Sequence, residues 1–153
     1  MTIIEWGSHF LTGLGEIDRQ HEGLVALANR LSDAAAGSPE MVDEAFHQLA
    51  AYARSHFALE ERIMAEAGLA AEPLASHRQA HADFVDDLAA MWQARDKAPD
   101  VTTKRLLDFV TVWIYKHILI TDREMAREVH ALRNTKPPLN PFYLGRASTE
   151  TDD

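Results

Sequence analysis

The stretch His56-Phe57-Ala58-Leu59-Glu60 places a histidine and a glutamate four residues apart. On a helix this spacing puts both side chains on one face, about 40° apart around the axis and roughly 6 Å along it. An imidazole and a carboxylate arranged in this way can reach the same metal ion. The stretch therefore predicts a helix that carries part of a metal site.

Further potential ligands lie on both sides of this stretch. His77 and His81 repeat the i, i+4 spacing, His21 lies upstream, and His117 and Asp122 lie downstream. Together with His56 and Glu60 they supply five imidazoles and two carboxylates. Because these donors are spread over four predicted helices, they could hold two metal ions inside a bundle.

The composition is typical of one globular, helical domain. The chain has 153 residues, of which 46% are hydrophobic and 25% are charged, and this length is enough for a substantial core. The absence of cysteine excludes disulfides, thiolate-bound zinc and iron–sulfur clusters. A net charge of −9 disfavours nucleic acid and anionic membranes as partners. Without a long apolar run or a secretory signal, the expected location is the cytoplasm.

An apolar repeat of alternating three- and four-residue steps predicts four helices. They run from Asp18, as N-cap, to just before Gly37; from about Pro39 to Ala67; from near Pro73 to before Ala98; and from about Val101 to Arg133. The short connections make consecutive helices antiparallel neighbours. The predicted fold is all-α, an up-down-up-down four-helix bundle with an extended N-terminal arm and an irregular C-terminal tail.

Both ends of the chain lack a helical repeat. Residues 1–17 are predicted to form an arm that Trp6, Phe10 and Leu14 fix to the bundle. Residues 134–153 contain three prolines and an acidic end, which predicts an extended, partly disordered tail. This tail is either simply solvated or a docking segment for a protein partner. The docking residues would be Phe142, Tyr143 and Leu144.

Polar residues occupy seam positions where the apolar repeat requires leucine or isoleucine. A single buried histidine is more often a hydrogen-bonded core residue than a ligand. Six such positions are harder to explain without a metal, because unpaired buried polar groups cost several kcal/mol. They are His21, His56, Glu60, His77, His81 and His117, and the last shares its seam with Ile120.

Five other polar residues do not follow the seam pattern. Asp122 follows His117 by five residues, a turn of about 140° on an ideal helix, which suits either a bridging carboxylate or a local widening of the helix. Glu61 should point away from Glu60. It should either face solvent or form a hydrogen bond to the outer side of a metal ligand. The remaining histidines, His9, His47 and His130, are predicted to lie at the surface or in the arm.

The donor chemistry leaves several metals open. Nitrogen and oxygen donors without sulfur suit Fe, Mn, Zn, Cu or Ni. If both carboxylates and an oxide or hydroxide bridge two octahedral ions, and the imidazoles divide three and two, one ion is complete and the other keeps one position for a small ligand. If the small ligand is O2, apolar residues next to the metal ligands would keep water away from it. As core residues they would be apolar in any case. They are Leu24, Phe57, Trp113 and Ile118.

Four short motifs together resemble the hemerythrin family, specifically its bacterial single-domain members, over about residues 3–132. They are Ile17-Asp18-Arg19-Gln20-His21, His56-Phe57-Ala58-Leu59-Glu60-Glu61, His77-Arg78-Gln79-Ala80-His81 and His117-Ile118-Leu119-Ile120-Thr121-Asp122. The resemblance implies a hemerythrin-like bundle over residues 1–133, followed by the 134–153 tail. It also implies two non-haem Fe ions, bridged by an oxide or hydroxide, with O2 as their ligand.

The resemblance assigns a role to each metal ligand. It implies that His77, His81 and His117 hold the complete iron, that His21 and His56 hold the open one, and that Glu60 and Asp122 bridge them. The function it implies is reversible O2 binding for storage, delivery or sensing, by a protein expected to be a monomer and not an enzyme. The alternatives are a di-iron oxidase, peroxidase or NO-handling enzyme, and a metal-buffering or interaction module.

Overall fold

The computed structural model describes residues 2–95, 97 and 99–138, with only the backbone described at residues 99–101. After a 3₁₀ turn at Ser8–Phe10, the helices are α1 (Gly15–Ala35), α2 (Pro39–Ala67), α3 (Ala71–Ala94), α4 (Pro99–Lys116) and α5 (Arg123–Arg133). A π-helix, His117–Asp122, joins α4 to α5 without a break, so these three segments form the fourth helix of the bundle.

The helices pack as a closed ring of neighbours. α1 contacts α2 and α4, and α3 contacts α2 and α4, which gives the predicted antiparallel four-helix bundle. The predicted seams of α1 and α2 are buried throughout. In the fourth helix the prediction that Ile120 lies on the buried seam is wrong, since its side chain is 58% exposed. The π-helix changes the angle between successive residues, and Ile118 is buried in the core instead.

The N-terminal arm is held to the bundle as predicted, with Phe10 and Leu14 buried and Trp6 packed against the core. However, α1 begins at Gly15, so Asp18 lies inside the helix and is not its N-cap. Its carboxylate instead accepts hydrogen bonds from the arm, from the Thr12 backbone and hydroxyl and the Gly13 backbone, at 2.7–3.0 Å. These bonds satisfy donors of Thr12 and Gly13 near the end of the arm.

His130 is another difference from the sequence prediction, because it is buried and does not lie at the surface. Its Nε2 lies 2.9 Å from the Thr12 carbonyl oxygen, and its Nδ1 lies 2.7 Å from the Thr135 hydroxyl. The imidazole therefore joins the arm to the end of α5. His47 is exposed, as predicted, and His9 is half-buried in the arm.

The helix ends follow from local chemistry. The Ser38 side chain accepts a hydrogen bond from the Met41 backbone and caps α2, which has Pro39 in its first turn. α2 ends at Gly68 in the left-handed conformation, as predicted, with φ +86°. α3 begins at Ala71, two residues before the predicted Pro73.

Replacing Gly68 with alanine is expected to destabilise the protein by about 1–2 kcal/mol, because left-handed φ and ψ angles bring a Cβ too close to the following carbonyl oxygen. An added Cβ would meet no other atom within 4 Å, so this conformational cost stands alone. Urea unfolding measures the change. Gly68→Asn is the matched control and should cost less, since asparagine tolerates this conformation. Equal stability of Gly68→Ala and the wild type would contradict the assignment.

Within the described residues, no helix is long and apolar enough to cross a membrane. Residues 134–138 are exposed. The predicted docking residues Phe142, Tyr143 and Leu144, and most of the predicted tail, lie outside the described residues.

Candidate metal centre

The seven residues predicted as metal ligands come together in the centre of the bundle. They form two groups of donors, each with ligand atoms within 4.8 Å of one another. A three-histidine cluster contains His77, His81, His117, Glu60 and Asp122, and a two-histidine cluster contains His21, His56, Glu60 and Asp122. All seven side chains are at most 5% exposed.

Glu60 lies between the two clusters, with one carboxylate oxygen directed at each. Its Oε1 is 2.7 Å from His56 Nε2 and 3.2 Å from His21 Nε2. Its Oε2 is 3.1 Å from His77 Nε2 and 3.0 Å from His81 Nε2. This division of oxygens is what a carboxylate that bridges two cations requires.

Asp122 repeats the arrangement from the fourth helix. Its Oδ2 is 2.8 Å from His21 Nε2, while its Oδ1 is 3.1 Å from His77 Nε2 and 2.9 Å from His117 Nε2. The π-helix explains how Asp122 reaches the cluster, because its wider turn brings residues five apart onto one side. Of the two explanations that the spacing left open, the structure therefore contains the local widening.

Several buried donor and acceptor atoms converge without forming satisfactory hydrogen bonds. His56 Nε2 and both carboxylate oxygens of Asp122 are buried and have no partner with acceptable hydrogen-bond geometry. Such unsatisfied groups are costly in a protein interior. Cations at the two clusters would satisfy them, so the residues present fit a metal site.

The close packing of imidazoles and carboxylates also shifts their pKa values. Burial acts to lower the pKa of His21, His77 and His117, but the close contacts of these rings with the Asp122 and Glu60 carboxylates, and the charges of these carboxylates, outweigh it and raise each pKa to about 9. Burial acts to raise the pKa of Glu60 and Asp122, but the surrounding imidazoles hold both well below their usual range. For His81 burial dominates and lowers the pKa.

Two side chains outside the ligand set contact the outer ring nitrogen, Nδ1, of a ligand imidazole. The Glu61 carboxylate lies 3.5 Å from His81 Nδ1 and 3.3 Å from Arg78 Nε, which agrees with the predicted outer contact to a ligand. Gln20 Oε1 accepts a hydrogen bond from His56 Nδ1 at 2.9 Å. The role of Gln20 was not predicted, because the contact joins α1 to α2 and depends on how these helices pack.

The aromatic residues next to the ligands pack on one side of the site. The ring of Phe57 stacks on His81 with a centroid distance of 4.0 Å, and Trp113 stacks on His117 at 4.1 Å. Leu24 and Ile118 are buried in the same apolar cluster as Phe57. The four residues predicted to line an O2 pocket thus belong to one continuous apolar region beside the imidazoles.

Comparison with known proteins connects this geometry to a family. The family model of the hemerythrin HHE cation binding domain matches residues 12–129. The chain belongs to the hemerythrin family. All seven donors lie within the matched residues.

Individual hemerythrins give the same result over most of the chain. A bacteriohemerythrin from Stenotrophomonas maltophilia is 29% identical over 136 residues, which cover 88% of this chain and 86% of the relative. A myohemerythrin from Theromyzon tessulatum is 30% identical over 118 residues, covering 77% and 87%. A crystal structure of a hemerythrin point mutant is similar, with a TM-score of 0.67 and 25% identity, covering 84% of this chain and 98% of that one.

Metal binding to this protein is expected to release protons at pH 7. Three histidines have a pKa of about 9 in the metal-free site, so each is protonated at pH 7 and loses a proton when its Nε2 binds a cation. Roughly three protons per chain should appear on loading, one from each of His21, His77 and His117. The apparent affinity should rise as the pH increases from 7 and level off above about 9.

A Co²⁺ titration of metal-free protein in weakly buffered indicator solution measures this release. His47→Ala is the matched control and should behave as wild type, since its ring is 62% exposed and far from the clusters. An affinity that does not change between pH 7 and pH 9 would contradict the assignment.

Proposed function

We propose that this protein holds two iron ions and binds O2 reversibly, for oxygen storage, delivery or sensing. The observation that carries the proposal is the pair of clusters that share Glu60 and Asp122. His77, His81 and His117 would hold one ion, and His21 and His56 the other, with the two carboxylates bridging. The donor chemistry suits iron among several metals, and the family favours iron among them.

The unequal division of imidazoles supports binding of a small ligand at one ion. Three imidazoles and two carboxylate oxygens surround the first position, whereas two imidazoles and two carboxylate oxygens surround the second. The ion at the second position would therefore keep one more open coordination position than the ion at the first. When bound, the iron pair supplies the electrons and the open position that O2 binding requires.

The apolar residues support reversibility, because they limit the access of water and protons. Leu24, Phe57 and Ile118 are at most 4% exposed, and Trp113 packs against the cluster they belong to. We propose that these four residues form the lining that excludes water from the site. A water-excluding lining suppresses proton leakage and side reactions, as closed active sites do.

An anaerobic reduction followed by exposure to air and then argon tests the proposal. The iron-loaded protein should develop a visible absorption band in air and lose it under argon, over repeated cycles. Direct conversion to a stable ferric form, with continued O2 consumption in the presence of a reductant, would overturn reversible binding. It would support the second candidate, a di-iron oxidase, peroxidase or NO-handling enzyme.

A further inference from the structure

Gln20 is in direct contact with the outer nitrogen of one ligand. Its Oε1 lies 2.9 Å from Nδ1 of His56, a ring that is only 1% exposed. An amide oxygen can only accept a hydrogen bond, so Nδ1 of His56 must carry the proton. A neutral imidazole with its proton on Nδ1 keeps its lone pair on Nε2.

That lone pair faces another acceptor. His56 Nε2 lies 2.7 Å from Glu60 Oε1 and has no hydrogen-bond partner of acceptable geometry. A lone pair and a carboxylate oxygen at this distance repel each other unless a proton or a metal cation lies between them. The opposite tautomer would place the proton on Nε2, which would remove the lone pair that a metal needs. The Gln20 contact therefore selects the tautomer that can bind a cation.

Two of the other imidazole ligands lack so close an outer partner at the corresponding atom. His21 Nδ1 and His81 Nδ1 are buried and form no hydrogen bond among the described residues, and Glu61 lies 3.5 Å from His81 Nδ1. The two-histidine cluster has only His21 and His56 as imidazole donors. Occupancy of this cluster consequently depends strongly on the orientation of His56.

We propose that Gln20 is a positioning residue for the two-histidine cluster. By accepting from Nδ1 it fixes the ring of His56 and directs Nε2 at the cation position shared with His21, Glu60 and Asp122. This inference rests on the proposed two-ion centre and adds a residue that controls one of the two ions. Outer hydrogen bonds of this kind typically change metal affinity by about 10- to 100-fold when removed.

Competition with a chelator tests the role on the full-length, iron-loaded protein. Iron retained per chain is measured against increasing chelator concentration for wild type, Gln20→Leu, Gln20→Glu and Gln79→Leu. Gln79 is the matched control, since it is exposed and bonds to Asp83 on α3. We expect Gln20→Leu to lose one of its two ions at about 10- to 100-fold lower chelator concentration. The second ion, and both ions of the Gln79→Leu control, should be retained as in wild type.

The conservative variant separates positioning from a general structural role. Gln20→Glu keeps an oxygen that accepts from Nδ1, so it should retain both ions, whereas a purely structural requirement for glutamine would affect both variants. In the zinc-loaded wild type, NMR should show a protected imidazole N–H proton at His56, and Gln20→Leu should lose it. Circular dichroism establishes that the variants are folded.

Each other result counts against the proposal. If Gln20→Leu releases iron at the same chelator concentration as Gln79→Leu, the positioning role is overturned. It is also overturned if Gln20→Leu loses both ions together. A wild type that holds two ions and shows a His56 N–H proton insensitive to Gln20→Leu would do the same. A wild type that holds fewer than two ions would instead overturn the proposed two-ion centre itself, and the inference with it.

Discussion

Replacing Glu60 with alanine is expected to remove at least one cation from the protein and to weaken binding of the other. Glu60 is shared by both clusters, and its two oxygens lie 2.7–3.2 Å from four imidazole nitrogens. Loss of a ligand that bridges two ions should lower the affinity by more than about 100-fold, beyond the cost of removing an outer hydrogen bond.

The metal-free form of Glu60→Ala should also be less stable than metal-free wild type near pH 7. Because three nearby histidines have a pKa of about 9, the variant would leave buried imidazolium groups with only Asp122 as counter-charge. Removing one partner from a buried ion pair typically costs about 3–5 kcal/mol. This loss should shrink as the pH rises towards 9, because the imidazoles then become neutral.

Metal analysis and urea unfolding measure the two effects. Glu66→Ala is the matched control on the same helix, since Glu66 is 66% exposed and lies 4.0 Å from Arg62 at the surface. It should bind metal as wild type does and change stability by less than about 0.5 kcal/mol. A Glu60→Ala variant that keeps two ions with unchanged affinity would show that Glu60 does not bridge.

Replacing Phe10 with alanine is expected to destabilise the protein by about 3–5 kcal/mol, the usual cost of removing a fully buried phenylalanine side chain. The ring is completely buried, stacks on Trp6 at a centroid distance of 5.1 Å, and packs against Tyr115 of α4 at 5.7 Å. It therefore joins the N-terminal arm to the fourth helix just before the π-helix.

Backbone contacts make the arm part of the same unit. The Arg123 guanidinium donates a hydrogen bond to the His9 carbonyl oxygen, and Arg123 directly follows Asp122. Loss of Phe10 should release the arm and loosen the turn that carries Asp122. Urea unfolding measures the change, with Leu11→Ala as the neighbouring control, since Leu11 is 38% exposed. A loss no larger for Phe10→Ala than for Leu11→Ala would contradict the anchoring role.

The bundle and the donor set could be predicted because both follow from helical periodicity. The seams of α1 and α2 repeat every three or four residues and are buried throughout. Polar residues on those seams stand out because burial without a partner is costly, and His21, His56 and Glu60 meet in the core for that reason. The i, i+4 spacing of His77 and His81 likewise needs only a regular helix.

What could not be predicted depends on contacts between helices or on departures from a regular helix. The repeat places Ile120 on a seam because it assumes 3.6 residues per turn, whereas the π-helix exposes this side chain. Gln20 reaches His56 across the contact between α1 and α2. His130 is buried by the arm, which bonds to it through Thr12, and arm packing leaves no periodic signal in the sequence.

The most direct test of the two-ion centre is an iron count combined with Mössbauer spectroscopy of the protein loaded with ⁵⁷Fe. We predict two irons per chain and two ferric or ferrous environments that differ, because one cluster offers three imidazoles and the other two. One iron per chain, or two irons that are magnetically independent of each other, would contradict a centre in which Glu60 and Asp122 bridge two ions.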